Sequence, residues 1–325
     1  MNAAEKSSKL DWPDQRVLIT GADGFLGGVM TRSLLARGAS VYALVWSGNQ
    51  ECNVKNLMAS GVTIIRGDIT DLSLLTRLCG DSGINTVFHL AAINSNTGSL
   101  PPYALWEANI RGVYTVLEAC RAASPKARVV IASSREAEEC FSERSVRPHH
   151  PYMVSKASAE LIVRAYSDTY NLLTSCVRSD NLYGGGDCNW QRLIPGTIRS
   201  LLQEEAPVIR GDGQRARAYV YIDDAVNAYC AIAERLHCED VRGQIFRLST
   251  GVNSSVLDIV HQLVEISGRN DLVPRILREK CDERVDKVYV PDREKQLLDW
   301  ENTVGLRDGL IRTYEWYKTH AGDLA

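Results

Sequence analysis

The architecture of this chain turns on "RVLITGADGFLGG", Arg16 to Gly28. Its first five residues form a β-branched, apolar run that reads as a buried strand. Glycine then recurs at Gly21, Gly24 and Gly27, where a helical pattern takes over. Gly21 permits a tight turn, Gly24 lets the backbone approach a pyrophosphate, and Gly27 lets helix pack on sheet. The helix start offers unpaired N–H groups and a positive dipole end to the phosphates. A strand before and a helix after are the context such a turn needs, so a dinucleotide site is expected. The second strand should end in a carboxylate if it holds the ribose 2′-hydroxyl of NAD. "VYALVWSGNQ" (41–50) instead runs through Val45, Trp46 and Ser47, with no carboxylate before Glu51 and no Arg or Lys directly after. Either NAD or NADP is therefore expected as cofactor.

Outward from this turn, "SVYALVW" (40–46), "VTIIRG" (62–67), "TVFHLAA" (86–92) and "RVVIAS" (128–133) read as further strands. Several are apolar on both faces, as in a parallel sheet covered by helices. The segments between them carry apolar residues at three- and four-residue spacing. This alternation predicts an α/β fold, a Rossmann-type doubly wound parallel sheet over 16–175. Residues 176–325, with more glycine and proline, are expected to form mainly a smaller C-terminal α+β substrate-binding lobe, some segments returning to the sheet. The start "MNAAEKSSKLDWPDQ" (1–15) reads as a flexible tail with no signal-peptide apolar region. The 325 residues are 45% hydrophobic and 24% charged with a net charge of −3, which gives no reason to expect nucleic acid as a partner. No apolar run reaches the length of a membrane span. Nine cysteines without a CxxC pair suggest neither a metal site nor a redox dithiol, and fit a reducing, cytoplasmic compartment. "RGDITD" offers Asp68, with Ile69, as an adenine-edge contact, or else an ordinary strand-end turn.

"HHPYMVSKASAELIVRAY" places Tyr152 and Lys156 four apart at a helix start, on one face and one turn apart. An ammonium beside a phenol favours the phenolate, so Tyr152 is a candidate base. Ser133-Ser134 lies about 18 residues earlier, at a strand end.

With these pieces in place, the chain resembles the extended short-chain dehydrogenase/reductase superfamily, and within it the NAD-dependent epimerase/dehydratase family. The matching segments are "TGADGFLG", "GDITD", "VFHLAA", "NIRGVYTVLEA", "IASS", "PYMVSKASAE", "RSDNLYGGGD" and "GDGQRARAYVYIDDA", in family order from about residue 16 to 235. The resemblance implies a nucleotide-diphosphate-sugar substrate oxidised at C4 by hydride transfer, with Ser134, Tyr152 and Lys156 as the catalytic set. It implies cofactor contacts at Gly21, Gly24, Phe25, Leu26, Gly27, Asp68, Ile69, Leu90, Ala91, Ala92, Asn109, Tyr152 and Lys156, with Asn109 supporting the active-site loop. It also implies substrate contacts at Ser134, Arg135, Asn181, Arg192, Leu193 and Arg217, with Arg215 as a rival to Arg217 for a phosphate. The family pairs the helices around 103–123 and 152–170 into a homodimer, which is expected here too.

The exit "VVIASSREAEECF" (129–141) bears on the reaction. Members that eliminate water or decarboxylate carry an acidic residue two positions after the catalytic Ser/Thr, and here that residue is Glu136. It would remove the C5 proton once C4 is a ketone. Two departures stand against this. Arg135 replaces an acid and cannot give up its proton near neutral pH, although dehydratases resembling the GDP-mannose type have serine there. "AEEC" replaces the usual Val-Tyr-Gly turn. "GGGDCNWQRLIPGTIRS" resembles the corresponding part of 4,6-dehydratases. The expectation is a 4,6-dehydratase. The alternatives are a 4-epimerase, a decarboxylase using Arg135, and a catalytically silent cofactor-binding protein.

Overall fold

A computed structural model describes residues 10–46, 61–94, 100–124, 126–142, 150–279 and 286–321. The chain divides into two compact units. The first comprises Met1–Ser179, Val226–Arg247 and Gln296–Trp300, and the second Asp180–Ala225, Leu248–Lys295 and Glu301–Ala325.

The first unit is built on a seven-stranded sheet. Its strands are β1 (Arg16–Thr20), β2 (Ser40–Val45), β3 (Thr63–Arg66), β4 (Thr86–His89), β5 (Arg128–Ala132), β6 (Leu173–Ser179) and β7 (Ile245–Leu248). They lie in the order β7-β6-β5-β4-β1-β2-β3, and β1 to β6 pair in parallel. The order reverses between β1 and β4, the switch point where doubly wound sheets bind ligands beyond their strand ends. Valine, isoleucine and leucine fill these strands because both faces are covered. One face buries Leu18, Val87, Val129 and Ile131 beneath α2 (Leu72–Asp81), α3 (Gly112–Ala123) and α4 (Pro151–Tyr170). The other packs on α1 (Phe25–Ala36) and on the helix Ile222–Arg235, whose Tyr229 meets Phe88 with ring centroids 6.5 Å apart. Helix ends follow local chemistry. Asp71 accepts the Leu74 N–H to start α2, Pro151 opens α4, and Asn171 closes α4 in the left-handed region at φ 54°.

The sixth strand runs on to Ser179, so the expected boundary at residue 175 falls inside a strand. The expected tail is also corrected over its second half. Trp12–Asp14 form a 3-10 turn, and the Trp12 indole is buried, donates to Glu234 Oε1 at 3.1 Å and lies beneath the Arg37 guanidinium. An indole removes a large apolar area from water, which is reason enough for this segment to pack. Residues 1–9 lie outside the described residues.

In the second unit α5 (Leu193–Leu202), α6 (Val256–Ser267) and α7 (Leu306–Thr319) pack on one another. Buried Asp224 accepts the Thr303 and Val304 N–H groups and the Thr303 hydroxyl, tying the last third of the chain to its middle. The glycine run is shaped by an aromatic, because a Cβ on Gly185 would fall 2.2 Å from the Trp316 ring. No helix among the described residues is long and apolar enough to cross a membrane, and they hold no cluster of metal-ligating side chains.

Candidate active site

The glycine turn is dictated by backbone proximity. Gly21 has φ +69°, and a Cβ there would lie 2.8 Å from the Ala91 backbone. Gly24 is exposed at the N-cap of α1, with its N–H on the Gly21 carbonyl at 3.0 Å. A Cβ on Gly27 would sit 2.1 Å from that carbonyl oxygen and 2.8 Å from the Ala22 Cα. Gly27 is therefore required by the turn beneath it, which leaves β1 directly. Phe25 and Leu26 follow in the first turn of α1, where N–H groups have no intrahelical acceptor. A pyrophosphate fits this cradle, which side chains at 21 and 24 would crowd. Thr20 Oγ1 accepts the Ala91 N–H at 3.3 Å and meets His89 Nδ1 at 2.8 Å, fixing Leu90–Ala92 beside the turn.

Strand β2 ends in Val45 and an exposed Trp46 without a carboxylate, and Glu51 lies outside the described residues. Asp68 commits Oδ1 to its own turn, accepting the Thr70 N–H and hydroxyl at 2.8 Å each. Ile69 fills the space left by the missing Cβ of Gly112. Asp68 thus shapes the strand-end turn through Oδ1, and its Oδ2 is not used by that turn. Asn109 is buried on a short π-helical turn, Glu107–Arg111. Its amide donates to Ile93 O at 2.8 Å and to Ser155 Oγ at 3.0 Å, and its oxygen accepts the Ile93 N–H at 2.8 Å. Both amide hydrogens are used, so the Asn109 side chain is spent on holding Ile93 and Ser155.

Tyr152 lies in the first turn of α4 and Lys156 one turn on, with Nζ 5.9 Å from the phenol centroid. The ammonium donates to Ala132 O at 2.8 Å, which ties α4 to the end of β5. Burial lowers the Lys156 pKa to about 8. Burial, then the Lys156 charge, brings His89 down to about 3 and keeps it neutral. Ser134 caps a 3-10 turn, Arg135–Phe141, that packs on α4. Its Oγ accepts the Glu136 N–H at 3.2 Å, so its own O–H can still donate. Arg135 and Glu136 are half-buried on this turn, Ala137 is buried, and exposed Glu138 pairs with Arg247 at 2.7 Å. The exit from β5 is a capped, packed turn.

In the second unit Arg192, Leu193 and Arg217 line one cavity of about 620 Å³, with Trp190, Arg210 and Tyr219 among its walls. Arg192 reaches Asp187 at 2.7 Å and the Leu182 carbonyl at 2.9 Å, and Arg217 lies 3.6 Å from Asp286. Arg215 lines the same cavity, so the two rival arginines share it. Asn181 is on the short strand Asn181–Tyr183 and does not line it. Trp190, Arg210 and Tyr219 were not singled out in the sequence. Trp190 and Tyr219 stand within the motifs "GGGDCNWQRLIP" and "RARAYVY", which was their one signal. His89 likewise stood in plain view as the polar residue of "VFHLAA".

A model of the NAD dependent epimerase/dehydratase family matches residues 17–246. The chain belongs to this family. A trifunctional UDP-glucose 4,6-dehydratase/UDP-4-keto-6-deoxy-D-glucose 3,5-epimerase/UDP-4-keto-L-rhamnose-reductase of Arabidopsis thaliana is 26% identical over 93% of the chain and 47% of its own length. The chain thus spans about half of that relative. The UDP-glucose 4-epimerase of Mycolicibacterium smegmatis is 29% identical over 93% of the chain and 98% of its own. The dTDP-glucose 4,6-dehydratase DesIV of Streptomyces venezuelae, solved with NAD and TYD bound, superposes with a TM-score of 0.80 at 27% identity, over 95% and 98% of the two chains. Relatives of this family member thus include nucleotide-sugar dehydratases and epimerases.

Proposed function

We propose that the chain is a nucleotide-diphosphate-sugar 4,6-dehydratase. The observation that carries this reading is the capped turn after Ser134. It keeps Glu136 two residues beyond that serine on a turn packed against α4, while Glu138 is drawn to Arg247. NAD is the cofactor of the proposal, supported by the glycine cradle and by DesIV, which was solved with NAD. Gly21, Gly24, Phe25 and Leu26 would hold its pyrophosphate, and Lys156 its nicotinamide ribose. When bound, it supplies a temporary hydride acceptor for C4 of the sugar.

The residues then divide the proton work. Tyr152 takes the C4 hydroxyl proton, assisted by the ammonium of Lys156. Ser134 donates its remaining O–H to the same oxygen. With C4 a carbonyl, the neighbouring C–H is acidified and Glu136 removes the C5 proton. A guanidinium such as Arg135 is no acid near neutral pH, so the departing C6 hydroxyl would receive the proton that Glu136 has taken. C6 would then take back the hydride removed from C4, and C5 a proton from the Tyr152 side, which leaves loss of one water as the net change. Arg192, Arg215 and Arg217 suit the diphosphate, because a guanidinium donates two parallel hydrogen bonds to phosphate oxygens. A homodimer is proposed through the helices near 103–123 and 152–170, where Tyr103, Tyr114 and Leu161 are exposed. The described cysteines form no disulfide with one another, which supports the proposal of a reducing, cytoplasmic compartment.

The test is incubation with NAD+, and separately NADP+, against a panel of nucleotide-diphosphate sugars, with products weighed by mass spectrometry. Loss of one water is expected, and Glu136→Gln should slow that loss by about 10²-fold or more. An isobaric product would make the chain a 4-epimerase, the second reading supported by the relatives.

A further inference from the structure

Next to the catalytic pair lies a carboxylate that none of these steps uses. Glu160 stands one helical turn beyond Lys156 on α4, and its side chain is fully shielded from water. Its Oε1 accepts the Ser133 hydroxyl at 2.5 Å and the Arg178 Nε–H at 2.8 Å, and its Oε2 accepts Arg178 Nη2–H at 2.7 Å. Each partner belongs to a different part of the site. Ser133 precedes Ser134 at the end of β5. Arg178 comes from β6, and its guanidinium lies over the ring of Phe141, at 5.5 Å, where the turn bearing Glu136 ends. Taking two charges out of water is costly, and a hydrophobic replacement is often as stable. Stability is thus a weak account of this ion pair, while its geometry joins every element that carries a catalytic group in the first unit.

We propose that Glu160, locked by Arg178 and Ser133, is the positioning residue of this site, holding Ser134, the Glu136 turn and the Lys156 turn of α4 in register and lending its negative charge to Lys156. The proposal rests on the cofactor-binding role given to Lys156 above. The groups facing Lys156 are few. Tyr152 and Glu160 share its helix, His89 comes from β4, and Cys176 comes from β6. Arg178, beyond Glu160, partly offsets its charge. His89 is neutral. Burial lowers the Lys156 pKa, and Cys176 and Glu160 oppose that fall. Burial also pushes the Cys176 thiol far up, so it carries no charge near neutral pH, which leaves Glu160 as the facing anion.

The experiment uses the full chain and two variants, Glu160→Gln and Ser133→Ala. NAD+ affinity is followed from pH 6 to 10 by tryptophan fluorescence, and kcat and KM are measured on whichever sugar nucleotide is turned over. In Glu160→Gln the alkaline fall in NAD+ affinity should begin about one pH unit lower, and kcat should drop at least tenfold with KM changed less than threefold. Ser133→Ala keeps the ion pair and should lower kcat about tenfold with the pH profile unmoved. A folded Glu160→Gln protein with the wild-type pH profile overturns the proposal. If that variant does not fold, wild-type kcat in Ser133→Ala overturns it. Should the wild type bind NAD+ yet turn over no sugar nucleotide, the dehydratase reading falls, and the NAD+ profile of Glu160→Gln alone decides for or against Glu160.

Discussion

Lys156 carries an ammonium into a site where it is only 5% exposed. Its pKa falls from the ordinary 10.5 to about 8 because burial disfavours the charge. Below pH 8 folded and unfolded chains both hold the proton, and the folded chain bears the whole burial penalty. Between pH 8 and 10.5 the unfolded chain holds a proton that the folded chain has released, so stability rises with pH across that window. Lys156→Met should therefore melt above the wild type at pH 7, by at most about 3 kcal/mol, with the gap closing towards pH 10.5. A variant melting below the wild type at pH 7 would contradict this. The same variant should lose turnover. That Tyr152 and Lys156 share a face could be read from spacing alone, because a four-residue interval on a helix sets it. His89 and Glu160 could not, since a buried polar group is defined by partners tens of residues away.

Elements were recognisable where one local signal settles both ends. Helix α6 spans Val256–Ser267, because Ser255 and Asp258 form a reciprocal capping box and Gly268 closes it at φ +72°. Ser255→Ala should cost about 1 kcal/mol, read as a lower urea midpoint with an unchanged slope, and should leave NAD+ binding unaltered. The strand ends were less recognisable. The expected runs 40–46 and 86–92 stop at Val45 and His89, where the parallel ladder ends. At the exit of β5, Ser134 capping and the burial of Ala137 fold the charged run Arg135–Phe141 into a turn. Charge pattern reports exposure of some residues and says little about a single buried alanine among them.

Across the whole molecule, long-range ties were invisible in the linear chain. Trp12 belongs to a segment that reads as a tail, yet its indole bonds Glu234, 222 residues away. Trp12→Ala should lower stability by about 3–5 kcal/mol, seen as a fall in melting temperature with kcat retained; an unchanged melt would return the segment to a tail. Asp224, likewise, serves Thr303 and Val304. What the sequence determined by itself was local and periodic: the glycine turn, the parallel strands with their helices, and the Tyr152–Lys156 face, because backbone sterics and a helical repeat act over a few residues. Tertiary structure alone decided that Gly27 answers to the Gly21 carbonyl, that Asn109 holds Ile93 and Ser155, and that Glu160 joins Ser133 to Arg178. Those outcomes depend on which distant atoms share a buried volume, and in a close-packed interior that is set by the whole chain at once.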